Sequence, residues 1–296
     1  MANLRALVKR RKAVRNIRKI TKTMELIATS RFQRALKRAT DAEAFTRKIA
    51  ELAADLAKNA GDVSHPLLVT RPVKKSLLLV ITSNRGLCGG YNGSVIREAA
   101  AAARAFREAG TPFDLEAVGK RGIAFCKFQG IPRSKEYTHF EDKPTFAEVE
   151  ILADRYIELY STGQIDEVKV AYTRFINAAR QEATLETLLP LASVATETRK
   201  PAAEQAPPPG KVNYEFLPEA SEILEELVPA ALRVRLFKMF LDAAVSEQIA
   251  RRVAMKAATE NAGDLIKEIT RKYNRTRQAN ITKEISELIA GAEALK

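Results

Sequence analysis

The segment Ser83-Asn84-Arg85-Gly86-Leu87-Cys88-Gly89-Gly90-Tyr91-Asn92-Gly93 gathers the residues of this chain best suited to chemistry. It follows an apolar run of strand length and precedes a helical stretch, where phosphate-binding loops occur, and its glycines at a helix N-terminus could cradle an anion. The Gly-Lys-Ser/Thr ending of a P-loop is missing, however, and the glycine spacing is not that of the dinucleotide fingerprint. Glycines at such a turn more often serve backbone geometry. Cys88 could be a nucleophile activated by the helix N-terminus. No base stands near it in the sequence, and a buried or turn cysteine is the simpler reading.

Other candidates are weaker still. Cys88 and Cys126 lie far apart, and His65 and His139 are isolated, so no metal-ligand cluster forms. Two cysteines make no disulfide framework, which points to a reducing compartment. Glu148 and Glu150, two apart on a predicted helix, point in different directions, while Glu222, Glu225 and Glu226 share a helical face and read as solvated charge. No catalytic residue, cofactor or metal is expected.

The elements that would position the loop form an α/β domain over residues 73–195. Ser76 to Thr82 is a continuous apolar run suited to a central buried strand. A helix is expected over Ser94–Ala109, a strand over Thr111–Val118, helices over Lys120–Phe128 and Phe146–Tyr160, and a strand over Glu167–Phe175. Leu185–Leu191 adds an edge strand. Strands alternating with helices imply right-handed crossovers and a mostly parallel, Rossmann-like sheet. Residues 196–217, with Pro201, Pro207, Pro208, Pro209 and Gly210, form a linker or loop.

The chain ends read differently. Residues 1–60 contain no Gly and no Pro, and the first thirty-eight hold thirteen Lys or Arg against one acid, Glu25, which is nearly all of the chain's net +13. Leu7, Val14, Thr21, Ala28, Ala35, Ala42, Ile49 and Leu56 recur every seven residues. A second row holds Ile17, Met24, Phe45 and Leu52, interrupted by Arg10, Arg31 and Arg38. Such a repeat favours a left-handed supercoil with a partner helix, and the helix would be about 80 Å long. Residues 218–296 supply the partner. Leu236, Phe240, Ala243, Glu247, Ala250, Ala254, Ala257, Asn261 and Leu265 mark a seam, and Ile281, Ile285, Leu288, Ala292 and Leu295 resume it beyond a stutter at Asn261-Ala262-Gly263. The small residues Ala28, Ala35 and Ala42 are expected against Ala250, Ala254 and Ala257. An antiparallel coiled coil of the two chain ends is the simplest reading.

Charge alone suggests nucleic acid, and a basic coiled-coil nucleic-acid-binding protein is the alternative function. But Ile17, Ile20, Met24 and Ile27 need burial amid the positives, and no aromatic residue lies between Met1 and Ser30 to stack on bases. A protein partner with an acidic, partly apolar cavity meets both demands. An Arg-rich N-terminus also fits a mitochondrial transit peptide, against which the helical pattern runs unbroken to Gly61. No membrane span is expected.

Three segments together resemble the gamma subunit of F-type ATP synthase, the central rotor shaft: Asn16 to Ala28, Ser83 to Gly90, and Ile281 to Ala292 preceded by Arg277-Gln278-Ala279. The resemblance implies a non-catalytic subunit, one copy per complex, whose coiled coil enters a ring of alpha and beta subunits. Its α/β domain would sit below with the epsilon subunit and the membrane c-ring, and ring rotation would drive the beta-subunit sites through their nucleotide states. It implies no nucleic acid, and a peripheral place on the cytoplasmic face of a bacterial inner membrane. By the same resemblance Lys19, Lys22, Met24, Arg277, Gln278 and Thr282 contact beta subunits, with Glu284 and Glu287 either in that signature role or paired to the neighbouring helix. Arg85, Gly86, Leu87, Cys88 and Gly89 form the family loop near the shaft's base, and Ile281, Gly291 and Ala292 complete the C-terminal signature. Asn84 stands where the family usually has Asp, and Thr23 where a small apolar residue is common. The paired-cysteine insertion of chloroplast relatives is absent, so no thiol switch is expected.

Overall fold

The computed structural model describes residues 2–59, 65–140, 143–191 and 220–293. The linker expected over 196–217, Leu295, and the side chains of Phe45, Ile49, Leu52, Leu56 and Glu222 lie outside the described residues. Contacts divide the chain into two compact units, Arg31–Ala250 and Met1–Ser30 with Arg251–Lys296. Two long helices, α1 (Ala2–Asn59) and α5 (Ala220–Glu293), contribute to both.

The larger unit holds β1 (Ser76–Ile81), α2 (Tyr91–Glu108), β2 (Phe113–Val118), α3 (Lys120–Phe128), β3 (Lys135–Tyr137), α4 (Phe146–Ser161), β4 (Glu167–Phe175) and β5 (Gln181–Leu189). The strands order β3-β2-β1-β4-β5, parallel throughout except for the antiparallel β4–β5 edge. All of β1 is buried because it is central and covered on both faces. Its alternation sorts the core: Leu78 and Val80 pack with Val95, Ala99, Ala103 and Phe106 of α2, while Leu77, Leu79 and Ile81 face Val149, Leu152 and Tyr156 of α4 and Val228, Leu232, Leu236 and Phe240 of α5. The result is three layers, the mostly parallel doubly covered sheet that the residue pattern predicts.

Two elements exceed that expectation. Lys135–Tyr137 adds a three-residue edge strand, too short and too charged to show a period, and charge on an edge is itself protective. β5 starts four residues before Leu185, at Gln181, in a polar stretch held by the β4 ladder.

Two buried carboxylates stiffen this unit. Glu116 of β2 pairs with Arg155 and accepts from the hydroxyls of Tyr156 at 2.8 Å and Tyr137 at 3.1 Å. Burial, with this carboxylate alongside, pushes both phenols well above their ordinary range. Glu186 of β5 pairs with Arg174 and accepts from Tyr172 at 2.6 Å.

Within the same unit α1 meets α5. Phe32, Ala35 and Ala39 pack with Leu241, Val245 and Ile249. The small residues of α1 thus face large ones, a correction to the small-on-small pairing with Ala250, Ala254 and Ala257. Close packing is reached by complementing volumes across the seam rather than by bringing two bare backbones together.

Candidate partner-binding surface

In the smaller unit the seam of α1 is the heptad row itself: Leu7, Val14, Thr21 and Ala28 are buried. Leu7 and Val14 cluster with Ala262 and Ile269, and Tyr273 packs beside them. The guanidinium of Arg11 lies 5.1 Å from the Tyr273 ring centroid, and Arg18 lies over Gly263. Contact positions rise on α5 as they fall on α1, so the pair is antiparallel. The α5 seam is Met255, Ala262 and Ile269, an unbroken seven-residue row one position away from the expected Ala254 and Asn261. Ala257 and Asn261 face solvent, and no stutter interrupts the row at Asn261-Ala262-Gly263. Alanines fit seam and flank equally well, which is why composition misplaced the row.

The described members of the second row of α1, Ile17 and Met24, are not buried in this chain. Ile17 is 52% exposed, Ile20 55% and Met24 37%, and Leu26 and Ile27 are also open. Arg5, Lys9, Arg10, Lys12, Arg15, Arg18, Lys19 and Lys22 share this outer surface, with Lys22 3.1 Å from Glu25. An outer face carrying five large apolar side chains among cations is unlike an ordinary solvated helix.

The end of α5 is a second open surface. Arg277, Gln278, Ile281, Thr282, Glu284, Glu287, Gly291 and Ala292 are all exposed, as are Ile285 and Leu288. The seam expected to resume at Ile281 therefore does not form. Leu7, in the first turns of α1, lies with Ile269, twelve residues before Ile281 on α5. Glu287 pairs with Lys283 on its own helix at 3.5 Å. The structure does not bring the predicted contact residues together. Thr259 abuts Thr21, and Arg277 lies about 27 Å farther along α5 at 1.5 Å per residue. Lys19, Lys22 and Met24 thus lie at one level of the helix pair, and Arg277, Gln278 and Thr282 at another.

The glycine-containing loop belongs to the larger unit and is filled by its own side chains. The Ser83 hydroxyl donates to the Arg85 carbonyl at 2.6 Å, the Asn92 amide donates to Ser83 Oγ at 2.8 Å and to Cys88 Sγ at 3.1 Å, and Asn92 Oδ1 accepts from the Ser83 amide at 2.9 Å. Cys88 is buried in this knot and His139 stacks on Phe140, ring centroids 4.1 Å apart, so no base serves the thiol. His65 caps a single turn by accepting from the Leu67 amide at 3.1 Å, and burial lowers its pKa. Leu87 and Gly89 take positive φ, 64° and 56°, which bends the loop and leaves Leu87 exposed. Arg121 packs against Gly86, where a Cβ would stand 2.5 Å from its guanidinium. Asn84 donates to the carbonyls of Thr138 and Phe140 at 3.0 and 2.9 Å and accepts from the Lys120 amide at 3.1 Å. An amide can do both; a carboxylate could only accept.

Beside this loop Arg85 joins Arg31, Arg34, Arg38, His139, Lys143 and Glu148 around an open groove of about 470 Å³. Glu148 is engaged with Thr145, whose hydroxyl and amide hydrogen bonds hold its carboxyl below the usual range. The sequence reading missed the groove as a unit, although Arg31, Arg34 and Arg38 at steps of three and four already share a helix face. Among the described residues no group of three or more His, Cys, Asp or Glu could hold a metal, and no helix is long and apolar enough to cross a membrane.

A family profile described as ATP synthase matches residues 3–295. The chain is 50% identical over 297 residues to an ATP synthase gamma chain of Rhodopirellula baltica, and 36% identical over 296 residues to that of an Exiguobacterium species, each match covering 100% of both chains. Among solved structures it is similar to a chain of the Euglena gracilis mitochondrial ATP synthase OSCP/F1/c-ring assembly, with a TM-score of 0.67, 20% identity, and coverage of 99% of this chain and 95% of that one. A chain of the Tetrahymena thermophila central stalk/c-ring structure gives a TM-score of 0.56 at 24% identity, covering 81% of this chain and 99% of that one.

Proposed function

This chain belongs to the ATP synthase gamma-chain family, and from that premise we infer how its surfaces serve a central-stalk rotor that couples rotation to the catalytic head of an F-type ATP synthase. It is a non-catalytic subunit. In our reading residues 1–60 and 218–296 act as the shaft, residues 73–195 as its base, and residues 196–217 as the connection between them. The shaft turns inside a ring of alpha and beta subunits, and the base meets the epsilon subunit and the c-ring, peripheral to the cytoplasmic face of a bacterial inner membrane.

The observation that carries this reading is the open outer face of α1, where Ile17, Ile20 and Met24 stand among Lys and Arg although the helix has already buried its seam on α5. Such a face suits a surrounding partner that offers apolar wall and acidic side chains together. A rotating surface also needs contacts that break readily, and partly solvated charge pairs, worth a few tenths to about 1 kcal/mol each, meet that need. Lys19, Lys22 and Met24 form one beta-subunit contact and Arg277, Gln278 and Thr282 a second farther along the shaft. The loop Arg85 to Gly89 and its basic groove face acidic beta-subunit segments from the base. A photo-cross-linker placed at Ile20 should capture alpha or beta subunits in the assembled complex. Failure to capture either from Ile17, Ile20 or Met24 would remove this face from the bearing.

A further inference from the structure

We propose that Arg233 and Arg235 are torque keys that lock α5 against twisting within the α/β domain, an assignment that rests on the rotor reading. The two side chains are two positions apart, so they leave the helix roughly 200° apart around its axis. Arg233 reaches α4, its Nε 2.6 Å from Asp154 Oδ1 and 3.8 Å from Glu150 Oε1. Arg235 reaches the sheet, its Nη2 3.7 Å from Glu186 Oε2. Glu186 is itself fixed by Arg174 and Tyr172, so its carboxylate is a rigid anchor. The helix is thereby gripped from two directions by two different layers.

The apolar stripe of Val228, Leu232, Leu236 and Phe240 resists separation of helix and sheet. Burial of this kind has no preferred direction and opposes sliding weakly. The Arg233–Asp154 pair is a charge-assisted hydrogen bond and therefore directional, the Arg235–Glu186 ion pair adds an attraction that weakens with distance on the other side of the helix, and rotation of α5 that lengthens either pair is opposed. The Tyr91 hydroxyl adds a third grip, donating to the Ala243 carbonyl at 3.2 Å.

The test uses the assembled alpha–beta–gamma complex, immobilised through its beta subunits, with a bead on the α/β domain at Ala101→Cys, an exposed position of α2. Angular fluctuation of the bead during catalytic dwells reports torsional stiffness. Arg233→Met with Arg235→Met keeps the apolar stems but removes both charged keys, leaving the Tyr91 hydrogen bond and non-directional packing, and should widen the angular variance by about twofold while ATP turnover stays near the parent value. Arg233→Asp with Asp154→Arg should restore the part lost in Arg233→Asp alone. If the double variant does not assemble, Arg233→Met and Arg235→Met singly should each give an intermediate variance. Parent-like variance in the double variant, or in both single variants, overturns the proposal. A parent complex whose bead does not rotate with ATP overturns the rotor reading instead.

Discussion

The hydroxyls of Thr21 and Thr259 meet at 2.8 Å across the seam of the antiparallel helix pair. Thr21 donates onward to the Arg18 carbonyl at 3.1 Å, and the Met255 carbonyl offers Thr259 a second acceptor at 2.8 Å. A polar pair among Leu7, Val14 and Ala28 fixes register, because a shifted pairing would bury a hydroxyl against apolar atoms. Thr21→Val should cost about 0.5–1.5 kcal/mol, read from denaturant unfolding of the isolated chain. Thr21→Val with Thr259→Val should be close to neutral, since both polar groups then leave together.

Ala35 is almost fully buried among Leu241, Val245 and Ile249. Ala35→Leu should overpack this seam and lower stability by about 1–3 kcal/mol. A melting temperature equal to that of the parent would show that the helices separate freely at this level.

The open face of α1 makes the opposite prediction. Ile17→Ser with Ile20→Ser should change the stability of the free chain by no more than about 0.5 kcal/mol, yet weaken its association with alpha and beta subunits. Arg277→Ala with Gln278→Ala should likewise lower coupled ATPase or assembly while leaving the circular dichroism of the α/β domain intact. Unchanged assembly and turnover would remove those residues from the contact set.

Asp166 supplies the pH dependence. Burial acts to raise its pKa, but the amides of Lys74 and Lys75 at 2.9 and 3.0 Å, and Arg71 at 2.7 Å, outweigh it and leave the carboxyl below its ordinary value. A depressed folded pKa contributes stability above the unfolded pKa of about 3.9 and loses it as pH falls through the lower folded value. Asp166→Asn should therefore be less stable than the parent at pH 6, with the gap closing as pH falls below about 4. A gap that stays constant to pH 2 would contradict this linkage.

Much of the fold was legible because burial imposes a period. Ser76 to Thr82 reads as a buried central strand and forms one over Ser76–Ile81, Glu167–Phe175 matches β4 residue for residue, and Lys120–Phe128 matches α3. The α1 seam was legible because Leu7 and Val14 stand among cations. The α5 seam was not, because Ala250, Ala254, Ala257 and Ala258 carry too little contrast to mark a face. The exposed end at Ile281 to Leu288 has a sound apolar period, but no helix among the described residues buries it. Sequence alone cannot separate a face made for a partner subunit from a face made for the chain's own core. The knot of Ser83, Cys88 and Asn92 joins residues in contact only through the bend at Leu87 and Gly89, which no periodic signal encodes.

Reconstitution tests the central claim most directly. Alpha and beta subunits mixed with this chain should form a stable complex containing one copy of it, and that complex should hydrolyse ATP faster than alpha and beta without it, with no hydrolysis by the pure chain. Failure to form the complex, or ATP hydrolysis by the isolated chain, would contradict the account.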